Sequence, residues 1–143
     1  MNHLGPSAIV KQMMENDKFS QWLGIEVMEI SKGHCRLEMR IREDMTNGFG
    51  IAHGGISFSV ADSALAFASN AGGRKSVSIE TSISHLISLH IGDHLVAEAN
   101  CEAETEKLGH YQIKIYKKEL ADKPVALFKG IVYRTNKFWE ISH

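Results

Sequence analysis

The stretch IAHGGISFSVADSALAFASNAGG, residues 51–73, decides the fold. From Ile56 to Ala71 every face of the implied helix is apolar or small, the pattern of a helix surrounded by protein. Gly72-Gly73 ends it, as glycine does at helix C-termini. The stretch is about as long as a membrane span, but His53, Asp62 and several serines interrupt it, so it reads as a buried helix.

Strands stand on both sides. Upstream, Gly24 to Ser31 and His34 to Arg42 are joined by the turn Lys32-Gly33. In the second strand Cys35, Leu37, Met39 and Ile41 face one way and His34, Arg36, Glu38, Arg40 and Arg42 the other. Downstream, Ser76 to His90, His94 to Glu104, His110 to Lys118 and Val125 to Thr135 are separated by turn-forming breaks. Pro6-Ser7 opens a short N-terminal helix with Ile9, Val10, Met13 and Met14 at helical spacing, its apolar side closed by Phe19 and Trp22. One antiparallel sheet curled around one central helix buries that helix most simply, an α+β fold in a single domain over residues 1–143.

Sixteen Lys and Arg against seventeen Asp and Glu leave a formal charge of -1, so no global field recruits nucleic acid or anionic membrane. The partner expected is a small molecule or another protein. The two cysteines, Cys35 and Cys101, fall inside strand patterns and read as small core residues of a protein in a reducing compartment. Met1 to Lys11 lacks a basic start followed by an apolar run, so no signal peptide is expected and the localisation expected is cytoplasmic.

Between Ile51 and Gly73 only Asp62 is charged at neutral pH. A mid-helix carboxylate among Val60, Ala61, Ala64 and Leu65 is costly unless it is hydrogen-bonded, solvated by a cleft, or used in chemistry. At the helix entrance, His53-Gly54-Gly55 lets the backbone approach a ligand closely and leaves N–H groups pointing outward, an oxyanion or anion site. Each feature has a plainer reading: a structural Asp, a tight turn needing glycine, and in Asn47-Gly48 an ordinary turn former.

Taken together, Asn47-Gly48, His53-Gly54-Gly55, Phe58 and Ala61-Asp62 closely resemble the signature of the phenylacetyl-CoA thioesterase (PaaI-like) branch of the hot-dog enzymes. Spacings and strand order are similar, as is the strand start Val77-Ser78-Ile79-Glu80. The resemblance implies hydrolysis of aryl-acetyl or medium-chain acyl-CoA to free acid and CoA, without metal or cofactor. Asp62 would attack the thioester or activate water, the Gly54 N–H would stabilise the oxyanion, Asn47 would position water or thioester, and His53 would shape the loop. Gly55, Phe58, Ser63 and Ser78 would bind substrate.

Helix geometry adds a constraint of its own. Asp62 lies eight residues past Gly54, about 12 Å along the axis, yet nucleophile and oxyanion donor must both reach one carbonyl. Two chains paired about a twofold, helices antiparallel, would set Asp62 of one against Gly54 and Asn47 of the other. The expectation is an obligate homodimer with composite sites, assembled as a dimer of dimers, a homotetramer.

Several residues depart from the family pattern or invite other readings. His85-Leu86-Ile87-Ser88 stands where relatives often carry an aromatic residue, Leu, a basic residue and Pro, and His110-Tyr111 where they often carry basic residues. Arg74, Lys75, Lys107 and Arg134 are then the candidates for the CoA nucleotide. His85 and His90 point to opposite faces of a strand, which argues against a metal site with His94. Tyr111, Tyr116 and Tyr133 are spread as core or interface aromatics and form no base-stacking platform. The alternatives are a hot-dog hydratase or dehydratase and a non-catalytic acyl-CoA binding module.

Overall fold

The computed structural model describes residues 4–140; Met1 to His3, at the start of the segment read for targeting signals, lie outside them. The elements run α1 (Pro6–Asn16), α2 (Lys18–Leu23), β1 (Glu26–Ser31), β2 (His34–Arg40), α3 (Gly54–Asn70), β3 (Arg74–His85), β4 (His94–Glu104), β5 (Leu108–Lys117) and β6 (Pro124–Phe138). One six-stranded sheet, all of its pairs antiparallel, has the order β1-β2-β4-β5-β6-β3. This is the hot-dog arrangement, with β1 and β3 as its free edges.

The buried helix is the expected one. Val60, Ala61, Ala64, Leu65, Phe67 and Ala68 of α3 are at most 1% exposed, packed with Cys35, Leu37, Ile113, Ile115 and Phe128 of the strands. Small residues bring helix and sheet close, most closely at Gly130 of β6, where a β-carbon would lie 2.5 Å from Leu65 Cδ2. The alternation in β2 holds: Cys35, Leu37, Met39 and Ile41 are buried. On the opposite face Glu38 is also buried, because His94 Nε2 (2.7 Å) and Lys118 Nζ (3.0 Å) converge on its Oε1. Burial opposes ionisation of Glu38, but bonds and charge from Lys118 and His94 outweigh it and lower its pKa.

Several expectations need correction. The N-terminal segment is two helices: Asp17 interrupts it and caps α2, its carboxylate accepting from Ser20 N–H (2.9 Å) and Ser20 Oγ (2.7 Å). Gly24 ends α2 with φ 76°, the left-handed cap position. Phe19 and Trp22 therefore project outward, stacked at 5.9 Å with the Arg42 guanidinium over Trp22, and do not close α1. β3 stops at His85, not His90, because Leu86 and Ile87 N–H both turn onto the Val125 carbonyl. The opposite-face relation of His85 and His90 lapses with it. β6 runs past Thr135 to Phe138. Cys35 is buried in the core, whereas Cys101 is only partly buried at its edge. Tyr111 and Tyr116 are buried and Tyr133 is 40% exposed.

Candidate active site

The entrance of α3 is built around its two glycines. His53 is the N-cap, its Nδ1 accepting from Gly55 N–H at 2.8 Å, and its carbonyl accepts from Ile56 N–H at 2.9 Å. That bond fixes His53 as the Nε2-protonated tautomer, a ring that shapes the turn. Among the described residues the Gly54 N–H has no acceptor, so it is a helix-end donor left for a ligand, and it borders a cleft. Neither glycine has positive φ. Both are in close approach to an imidazole: a β-carbon on Gly54 would sit 3.3 Å from His85 Nε2, and one on Gly55 3.0 Å from His53 Nδ1, so either ring would have to give by a few tenths of an ångström.

Beside this N–H lies a cleft of about 240 Å³ whose lining includes Asn47, Gly54, Ser57 and His85. Asn47 Oδ1 accepts from Phe49 N–H at 2.9 Å, which fixes the loop and leaves its amide NH₂ as a donor. The Ser57 hydroxyl is 3.2 Å from the Gly54 carbonyl oxygen and 3.3 Å from His85 Nδ1.

Asp62 stands elsewhere on the same helix, in a second cavity of about 400 Å³ shared with Met13, Leu65, Val77, Ser78, Val132 and Trp139. Its carboxylate is half-buried and, among the described residues, has neither hydrogen-bond nor ion-pair partner. Desolvation, with a smaller contribution from the negative charge of Asp17, raises its pKa. A carboxylate in this position is one that the open side of the cavity can solvate or that chemistry can use.

Ser78 thus joins Asp62, while Gly54 and Asn47 meet in the other cleft. Three expected substrate-binding residues line neither cavity, each for a local reason: Gly55 is spent on the His53 cap, Phe58 packs edge-on against Phe128 at 5.3 Å, and the Ser63 hydroxyl bonds Ser20 Oγ at 2.8 Å. The basic candidates are also largely engaged. Arg74 donates to the Thr135, Glu106 and Arg134 carbonyls, Arg134 pairs with Glu104, and Lys75 lies over Trp139; Lys107 is exposed. The sequence reading missed Ser57, Asn70 and Trp139, and it took up His85 only as part of a stretch departing from the family pattern and as a rejected metal ligand. The departing stretch at His85 was the one available signal. Among the described residues no group of three or more His, Cys, Asp or Glu side chains could hold a metal, and no helix is long and apolar enough to cross a membrane.

Residues 49–122 match the model of the thioesterase superfamily. The chain is 38% identical over 125 residues to a putative esterase of Archaeoglobus fulgidus, covering 87% of this chain and 80% of the esterase. It is 35% identical over 122 residues to the acyl-coenzyme A thioesterase PaaI of Escherichia coli, covering 85% and 86%. The solved structure of the E. coli PaaI protein from the phenylacetic acid degradation operon superposes with a TM-score of 0.88 at 32% identity, over 93% of this chain and 95% of that one. The chain belongs to the thioesterase superfamily and, within it, to the PaaI-like hot-dog enzymes.

Proposed function

We propose that this protein is a single-domain acyl-CoA thioesterase that hydrolyses aryl-acetyl or medium-chain acyl-CoA to free acid and CoA. The observation that carries the reading is the Asp62 carboxylate, which among the described residues has no hydrogen-bond or ion-pair partner and opens into a largely apolar cavity on a helix whose other face is packed in the core. Acyl-coenzyme A is also the substrate named for the E. coli relative.

In this reading the acyl group occupies the Asp62 cavity, against Met13, Leu65, Val77 and Val132. Ionised Asp62 attacks the thioester carbonyl or takes a proton from the attacking water. The free Gly54 N–H donates to the oxygen on which negative charge develops, at the positive end of the α3 dipole. The Asn47 amide holds the water or the thioester. If Asp62 attacks, collapse of the intermediate expels CoA thiolate and leaves an acyl-Asp62 anhydride. Water hydrolyses the anhydride to free acid and the Asp62 carboxylate, a proton from that water ending on the thiolate. If Asp62 acts as base, collapse gives the free acid directly and the thiolate takes the proton that Asp62 removed from water. His53 keeps Gly54 and Gly55 in place, and Phe58 and Ser63 hold the helix that carries Asp62.

The site is composite. Gly54 and Asp62 are separated by about 12 Å of unbroken helix and open into different cavities. A second copy, with its helix antiparallel, supplies the missing half. The free edge of β3, where Val77 and Ile79 are 57% and 59% exposed, supports pairing there. The homotetramer is part of the same proposal, and Cys35 and Cys101 as free thiols support a cytoplasmic setting.

The test is release of CoA thiol from a panel of acyl-CoA esters, beside solution mass. Hydrolysis of phenylacetyl- or octanoyl-CoA by a dimer or tetramer is expected. Tight binding without turnover would make the chain a binding module, and hydration of an enoyl-CoA would make it a hydratase.

A further inference from the structure

The Asp62 cavity has a built end. Along α3, Asp62, Ala66, Ser69 and Asn70 recur at three- and four-residue intervals, so they share one face, and all of them line the cavity. From Asp62 to Asn70 is eight residues, about 12 Å. The cavity therefore follows the helix away from the carboxylate and toward the α3 C-terminus, where Trp139 is part of its wall.

Trp139 is held there by three contacts. Its backbone N–H donates to the Gly73 carbonyl at 2.9 Å, its indole N–H donates to Asn70 Oδ1 at 2.9 Å, and Lys75 Nζ lies 4.8 Å from its ring centroid. Asn70 is itself fixed, 3% exposed. Its Oδ1 also accepts from Ser76 N–H, and its amide donates to the Ala66 and Ser76 carbonyls. Every hydrogen-bonding position of that side chain is in use. An indole anchored to a saturated, buried Asn is a fixed wall, and Lys75, whose ammonium lies over that ring and which also lines the cavity, disfavours a hydrocarbon chain at this end.

We infer that Trp139, anchored by Asn70, sets the upper limit on acyl length in this enzyme. An acyl group with its carbonyl at Asp62 extends along the helix face until it meets the indole, and a longer chain must displace Trp139 or leave its end in water. This rests on the thioesterase reading of Asp62 and adds to it a specificity-determining residue far from the reacting carbonyl.

The experiment measures kcat/KM over saturated acyl-CoA esters from acetyl to palmitoyl. Wild type should reach its maximum at medium length. Trp139→Ala should raise the palmitoyl-to-octanoyl ratio by at least about tenfold, the gain from burying roughly two further methylenes. Ser69→Leu fills the cavity on the near side of the indole and should move the maximum to shorter esters; it serves as the test if Trp139→Ala does not fold. An unchanged length profile in the folded variants overturns the inference and leaves the thioesterase reading intact. If wild type hydrolyses no ester, the thioesterase reading has failed, and binding decides the wall separately. In a Trp22→Phe background Trp139 is the sole tryptophan, and its emission should shift saturably with octyl-CoA thioether and not with ethyl-CoA thioether. No shift with either overturns the inference.

Discussion

His85 stands directly against Gly54: its Nε2 lies 3.3 Å from where a β-carbon on that glycine would be, and its Nδ1 meets the Ser57 hydroxyl at 3.3 Å. The residue that ends β3 thus forms the wall beside the free N–H that begins α3. Gly54→Ala must push the imidazole aside by a few tenths of an ångström, whereas the same change in a His85→Ala background meets open space. Unfolding midpoints of the four proteins in a double-mutant cycle should give a coupling of about 0.5 to 1 kcal/mol, and strict additivity would sever the contact.

Asp62→Asn keeps the shape of the side chain and removes its charge. We expect kcat to fall at least about a hundredfold with the fold intact by circular dichroism. Activity near that of wild type would remove Asp62 from the chemistry.

The raised pKa of Asp62 has two consequences for pH. Because its carboxyl binds a proton more tightly in the folded than in the unfolded chain, ionisation at neutral pH costs stability. The cost is fully present above the folded pKa and relieved as pH falls through it toward the unfolded value. Asp62→Asn should therefore be more stable than wild type at pH 7, with the difference shrinking in acid. Over the same window kcat/KM should decline with falling pH, its midpoint above that of an ordinary aspartate. A variant less stable than wild type at neutral pH would point to a structural role instead.

Subunits damaged on opposite sides of the proposed interface should complement one another. Asp62→Asn, and Asn47→Ala combined with Gly54→Pro, should each be nearly inactive as homodimers, the proline removing the donor N–H. Random co-assembly makes about half the dimers mixed, each with one intact site of two, so the pool should recover roughly a quarter of wild-type activity. A mixture that pairs yet stays inactive would put both halves of the site in one chain.

Gly130→Ala tests the closest helix-to-sheet approach, since its methyl would lie 2.5 Å from Leu65 Cδ2. Overpacking there should cost about 1 to 3 kcal/mol in denaturant unfolding, and that cost should vanish when the same change is made in a Leu65→Ala background, itself destabilised by loss of a buried side chain. Full stability of the single variant would mean that the helix lifts off the sheet at no cost.

The sequence by itself determined the central helix, because an apolar pattern on every face admits only burial. It determined the β2 register, because strict alternation in Cys35 to Ile41 admits one inward face. It singled out Asp62 as the one charge on that helix and, from helix rise alone, separated it from Gly54. Tertiary structure alone decided what surrounds these residues. Asp17 splitting the N-terminal helix is a cap competing with helical spacing, and periodicity cannot weigh the two. His85 reaches Gly54, and Trp139 reaches Asn70, from positions 31 and 69 residues away in sequence. Such contacts depend on which strands lie at the sheet edge and where β3 and β6 stop. Those ends are set by hydrogen bonds between distant segments, such as Leu86 and Ile87 turning onto Val125, and no local pattern of residues encodes them.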